Sequence, residues 1–404
     1  MNIKNLNKNI FLLGAGLEQL QYIKILKESG CFIVAVDIND NAPGFKMVDE
    51  YKAISTHNYI EIFKYALKVN KFHPIDHFIS FCSGLPQFNA LKLSKKFNLK
   101  ADDHIQIKNI LDKSNFKKIL LKLNLPIIPY ETVESLNGAL SACSQIKFPL
   151  IVKPSSGGMG SIGVKKINSI DELKSAFEDA YKISTDKKVI IEKFIKGKNF
   201  TYTSLISNGI IKFNTIGEKF FHNQGEFIPI GASQGICENI PENIKIKIYS
   251  DFELICKFLK LSNTSIRSDI IYDISKEKIY FLEMEIALAT PLLLTPVSHE
   301  YPLLESLVYN LLDIDISTSD IPKYGAAIKY LVHDYSSAVK IKNIEDLKKI
   351  DYLIELDLNT QVYEYLVNGI KKYVWGKIIT KGKNMDDAIN KATEIENSIE
   401  IVYK

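Results

Sequence analysis

The chain has 404 residues, 46% hydrophobic and 24% charged, enough to bury a large core in two to three domains. Its 51 basic residues stand against 47 acidic ones, a net charge of +4, and that balance speaks against a nucleic-acid binder. Five widely spaced cysteines (Cys31, Cys82, Cys143, Cys237, Cys256) contain no CxxC pair, and neither a secretory leader pattern nor an 18-residue apolar run occurs, so the expectation is a reduced, cytoplasmic protein with no membrane partner.

Residues 9–14, NIFLLG, read as a buried strand. Leu17, Leu20, Ile23 and Leu26 then keep helical spacing up to Gly30, and CFIVAVDIND (31–40) follows as a second strand ending in Asp37. A glycine turn between strand and helix, with an acid about twenty residues on, is the plan of a Rossmann-like domain. Its fingerprint is incomplete, because Gln19 stands where a third glycine would be. Gly14 and Gly16 are therefore read as a tight turn, with an NAD(P)-binding oxidoreductase as an alternative. A strand at 75–81 and a helix at 86–98 continue the alternation, and the loop CSGLP between them lies where such sheets bind ligands.

Residues 107–123 read as one helix with Asp112 and Lys113 near its middle, followed by a proline-bounded turn and a strand at 123–133. Two helices and a hairpin fill 134–182. In that hairpin Leu150–Val152 is a buried strand, Pro154 keeps Lys153 extended, and SSGGMGSIGV places four glycines in ten residues. Strand, lysine and glycine loop suit an extended polyphosphate, since glycine lets backbone N–H groups approach an anion. A plain hairpin with a flexible tip fits the same residues, and no Gly-Lys-Ser/Thr ends the loop. Residues 187–213 read as strand, turn, strand and hairpin. Residues 218–240, rich in Gly, Pro, Asn and Gln, read as a long functional loop, and 242–260 as a helix.

Strands at 264–274 and 278–287 form a hairpin that carries Arg267 and Asp269 on one face, and Glu283 and Glu285 likewise. A connection of three or five residues pairs Asp269 with Glu283 and Arg267 with Glu285. One of four residues shifts the pairing by one unless a bulge restores it. Three carboxylates on one face repel unless a cation joins them, and Mg²⁺ held through carboxylates and phosphates fits. A surface sheet whose acids pair with Arg267 and Lys278 is the alternative. After 320 comes a smaller α/β tail, with a helix at 385–397 and a strand at 398–403. No internal repeat is present.

The Asp112-Lys113 helix, the IVKP strand with its glycine loop, the IIEKFIKG strand and the late Arg-x-Asp…Glu-x-Glu hairpin, in this order, resemble the ATP-grasp superfamily of carboxylate ligases. Within it the chain looks most like amino-acid ligases, purine-pathway ligases and carbamoyl-phosphate-type ligases. The resemblance implies an α/β and α+β chain: a Rossmann-like pre-ATP-grasp domain at 1–108, an ATP-grasp core at 109–320 with a lid subdomain over 115–190, and a C-terminal α/β segment at 321–404. It implies ATP and Mg²⁺, or Mn²⁺ in its place. Glu192, Lys193 and Ile195 would border the adenine, with Asn199 where relatives often hold the ribose by an acid. Lys113 and Lys153 would approach the α- and β-phosphates beneath Ser155, Ser156, Gly157, Gly158, Met159 and Gly160. Asp269 and Glu283 would hold the metal, joined by Glu285 where Asn is usual, while Arg267 and Lys153 stabilise the transferring phosphoryl group. Ala287 stands where relatives often carry a substrate-binding arginine, which leaves the acid substrate open.

The implied activity is activation of a small carboxylate, with amino acids the foremost class, as an acyl phosphate that is then joined to an amine. A purine-biosynthetic ligase such as phosphoribosylamine–glycine ligase, the oxidoreductase above, and a nucleotide-binding protein without turnover are the alternatives. The second-substrate site is expected along 218–235, with His222 able to assist proton transfer. Relatives are often homodimers.

Overall fold

The computed structural model describes residues 3–82, 84–157, 162–221, 229–286, 289–319, 321–333, 340–367 and 370–402. The N-terminal strands form a four-stranded parallel sheet in the order Glu50–Ala53, Phe32–Asp37, Asn9–Leu13, His77–Ile79. Its central strands are apolar apart from Asn9 and Asp37 at their ends, because both faces are covered. Ile10 and Leu12 pack with Tyr22, Ile23 and Leu26 of the helix Leu20–Glu28. Phe11 and Leu13 point the other way, toward Ile62 and Ala66 of the helix Tyr59–Val69 and Leu93 of the helix Leu85–Lys96.

A four-stranded antiparallel sheet follows in the order Tyr130–Val133, Val189–Lys193, Leu150–Pro154, Lys165–Ile167. The helices Leu136–Ile146 and Leu173–Ile183 supply its core partners. The largest sheet has eight strands: Lys278–Glu285, Thr264–Asp273, Lys198–Ser207, Ile210–Phe221, Pro229–Gly235, Gly325–His333, Ile370–Gly382 and Leu353–Val367. The helix Glu242–Leu259 packs Ile248, Phe252 and Ile255 into its main apolar cluster. The strands between 325 and 382 thus join the same sheet as the acidic hairpin.

Two expectations are corrected. The helix expected at 107–123 is two helices, His104–Leu111 and Lys113–Lys122. Asp112 lies between them with φ −87° and ψ 113°, and its Oδ1 accepts from the Asn115 N–H at 2.8 Å. A short acid that satisfies an orphan N–H starts a helix better than it continues one. Of the loop expected at 218–240, residues 218–221 and 229–235 are strand and 222–228 lie outside the described residues: Ile210–Phe221 and Pro229–Gly235 pair antiparallel, Gly217 opposite Gln234. Glycine here serves close strand packing, since a Cβ on Gly231 would lie 2.6 Å from the Ile328 carbonyl oxygen.

The hairpin connection spans four residues, from Asp273 to its partner Lys278. Ile270 still pairs with Phe281, but a bulge follows, so Asp269 faces Glu283 and Arg267 faces Glu285. Leu282 is the extra residue. Before it Ile279 and Phe281 enter the main core; after it Met284 and Ile286 do. The phase break turns Glu283 and Glu285 away from the core.

Candidate functional site

The helix Lys113–Lys122 stands between the antiparallel sheet and the large sheet. Lys113 and Lys117 are four residues apart and share a face. Lys113 Nζ lies 3.0 Å from Glu283 Oε2 on the large sheet. Lys117 Nζ lies 2.8 Å from Glu192 Oε2 on the smaller one, and 4.8 Å from the centroid of the Tyr130 ring. Glu192 Oε1 accepts from Lys153 Nζ at 2.5 Å. Glu192 and Lys153 are diagonal neighbours on paired strands, because Ile151 faces Glu192 and Lys153 faces Ile190.

All three groups are out of water: Lys117 is 1% exposed, Glu192 3% and Lys153 6%. Burial acts to raise the Glu192 pKa, but Lys117 and Lys153 outweigh it and hold the carboxyl at about 2. Burial lowers the Lys153 pKa; Glu192 works against that, and Lys117 and Lys113 add to it, so the net direction is down. One carboxylate serves two ammonium groups, one on each oxygen.

On the hairpin each acid grips a cation: Lys219 Nζ is 2.5 Å from Asp269 Oδ2, and Arg267 Nη2 is 2.7 Å from Glu285 Oε2. Burial acts to raise the Glu283 pKa, yet Lys113, Lys219 and Lys153 bring the carboxyl down to about 2. Glu285 goes up, first through burial and then through Glu283 and Asp269, against the pull of Arg267. Lys153 is thus among the cations whose field reaches the Glu283 carboxyl.

Among the described residues no group of three or more His, Cys, Asp or Glu side chains is arranged to hold a metal ion. Asp269 Oδ1, however, is buried without a hydrogen-bond partner among them. A buried oxygen with nothing to bind, beside two further carboxylates that resist ionising together, fits a hard divalent cation.

The other expected residues fall on the neighbouring strands and loops. Lys193 Nζ donates to the carbonyls of Lys147 and Phe148 at 3.1 and 2.8 Å. Ile195 packs with Ile128 and Tyr280, next to Leu282. Asn199 pairs with Ile271 on the neighbouring strand. Ser155 Oγ sits 3.0 Å from Ser114 Oγ on the lysine-bearing helix, and Ser156 Oγ 2.8 Å from Thr185 Oγ1. Gly157 adopts φ +74°. Gly158, Met159, Gly160, His222 and Ala287 lie outside the described residues. Sequence reasoning missed Lys117 and Lys219. The first carries a signal in its four-residue spacing from Lys113; the second has none among so many lysines.

The N-terminal glycine turn is closed by its own chain. Asp37 Oδ2 accepts from the Ala15 N–H at 2.9 Å and Oδ1 from the Asn39 N–H at 3.0 Å. The Cys82 sulfur occupies the space beside Gly14. An acid committed to two backbone donors is a clasp rather than a waiting ribose ligand.

Residues 119–288 match the family model described as D-ala D-ala ligase C-terminus. Over 303 residues the chain is 24% identical to the urea amidolyase of Saccharomyces cerevisiae, covering 70% of this chain and 16% of that protein. Over 95 residues it is 38% identical to the D-alanine–D-alanine ligase of Pseudomonas putida, covering 24% of this chain and 29% of that protein. These matches span well under two thirds of either relative. The crystal structure of an L-amino acid ligase from Bacillus licheniformis superposes with a TM-score of 0.77 at 15% identity, covering 99% of this chain and 100% of that one. The chain has the ATP-grasp fold. No helix among the described residues is long and apolar enough to cross a membrane.

Proposed function

We propose that the chain is an ATP- and Mg²⁺-dependent ligase that activates a small carboxylate, an amino acid foremost, and joins it to an amine. The observation that carries this reading is the junction of two sheets at which one helix links the Lys113–Glu283 pair on the large sheet to the Lys117–Glu192–Lys153 group on the smaller one. The names of two similar proteins, a D-alanine–D-alanine ligase and an L-amino acid ligase, support amino acids as substrates.

A carboxylate does not react with an amine in water, because oxide is too poor a leaving group. Lys113 and Lys153 bind the triphosphate, and Arg267 faces its transferring end. A carboxylate oxygen bonds to the γ-phosphorus as the bond to the ADP oxygen breaks. The amine then attacks the acyl carbon, phosphate departs with the bonding pair, and the amine's proton passes to solvent. Asp269, Glu283 and Glu285 would hold Mg²⁺, or Mn²⁺, which when bound offsets phosphate charge. The protein's share is alignment and charge placed in advance in a dry cleft.

The test is ADP release with Mg²⁺ and ATP across amino acids taken singly and in pairs, with the product identified by mass. A condensed product formed with ADP in equal amount is expected. The absence of both ADP release and ATP binding would overturn the reading.

A further inference from the structure

We propose that Lys117 is a reserve counter-ion that keeps Glu192 neutralised when Lys153 leaves it for a phosphate, an inference that rests on the reading of this cleft as a nucleotide site. In the structure the two lysines share the carboxylate, one on each oxygen. Phosphate and Glu192 compete for the Lys153 ammonium. Were Lys153 the sole partner, its departure would strand a carboxylate that is 3% exposed, and a buried charge that loses its partner is strongly unfavourable. Lys117 removes that penalty, because Glu192 passes from two partners to one.

The two lysines are not interchangeable. Lys117 sits on the inner face of a helix, 1% exposed, with its ammonium against the Tyr130 ring. Lys153 is the next-to-last residue of the strand Leu150–Pro154, near enough to Glu283 to act on its carboxyl, and the glycine segment follows. Burial and two neighbouring ammonium groups already weigh against its charge, and a phosphate would relieve that imbalance. Lys117 touches no substrate in this scheme; it is a positioning residue that sets how readily Lys153 is released.

The experiment is calorimetric titration of the full chain with Mg²⁺-ADP and with adenosine. Lys117→Met should weaken ADP binding about tenfold or more while leaving adenosine within about twofold, since only the phosphates call on Lys153. Lys117→Arg should restore ADP affinity. The double variant Lys117→Met/Glu192→Gln should bind ADP within about threefold of Glu192→Gln alone, because no buried anion is left to compensate. Equal loss for adenosine and ADP, or no loss for ADP, would overturn the proposal while leaving the nucleotide reading intact. A wild-type chain that binds no ADP would overturn both. Should Lys117→Met fail to fold, the wild-type complex with ADP decides: Lys153 moved off Glu192 with Lys117 still in contact supports the inference, and Lys153 still bound to Glu192 overturns it.

Discussion

Asp269 faces Glu283 across the hairpin because Leu282 adds one residue to its strand and offsets the extra residue in the four-residue connection. Unbroken alternation from Phe281 would instead send Glu283 into the core and Met284 into the cleft. Met284 is 1% exposed within the main apolar cluster. Met284→Ala should therefore cost about 2–5 kcal/mol, while Glu285→Gln next to it changes stability by less than about 1 kcal/mol. Urea unfolding of the two variants checks this; equal effects would contradict the phase break.

Lys153→Met separates stability from activity. It removes one of two ammonium groups and leaves Lys117 and Glu192 as a matched pair. Folding stability should stay within about 1 kcal/mol of wild type or rise, while turnover falls about 10²–10³-fold. Denaturation and ADP release measured on the same preparation test both halves.

Glu192 makes stability depend on acid. Its carboxyl titrates at about 2 in the fold against an ordinary 4.5, so the unfolded chain binds the proton more readily. The stabilisation is complete above pH 4.5 and is lost as pH falls toward 2, on the order of 3 kcal/mol in all. Comparing wild type with Glu192→Gln from pH 6 to pH 3 isolates this share from that of Glu283, and the variant's curve should be flatter.

His299 acts in a higher window. Burial lowers its pKa to about 4 from the usual 6.5; its Nδ1 lies 2.8 Å from Ser298 Oγ and its ring stands edge-on to Phe213. The folded chain resists protonation, so this stability is full above pH 6.5 and is lost as pH falls toward 4. About 2 kcal/mol should be gone by pH 5. His299→Asn should remove that slope and leave the more acidic Glu192 transition in place.

Much of the fold was legible. The runs at 9–14 and 31–40 read as strands because sheets covered on both faces need continuous apolar residues. The hairpin register was readable up to the choice that loop length and bulge left open. The break at Asp112 was hidden because Ile107, Ile110 and Phe116 keep an apolar rhythm across it, and only the cap residue marks the stop. Residues 218–221 and 229–235 misled because glycine and polar residues signal loops by composition, whereas here Gly217 and Gly231 let strands approach. Lys219 was invisible, and Lys117 marked only by its spacing from Lys113, for another reason: what separates a buried lysine from a solvated one is the carboxylate it meets, and both partners lie far away in sequence.

The pairing of each cleft acid with a cation also bears on how a ligand arrives. Lys113, Lys117, Lys153, Lys219 and Arg267 stand against Glu192, Asp269, Glu283 and Glu285. Beyond a Debye length of about 8 Å in physiological salt such a set is almost invisible to a diffusing anion. Encounter is then left to random collision rather than electrostatic steering, and added salt should shorten the lifetime of a bound nucleotide far more than it slows its capture.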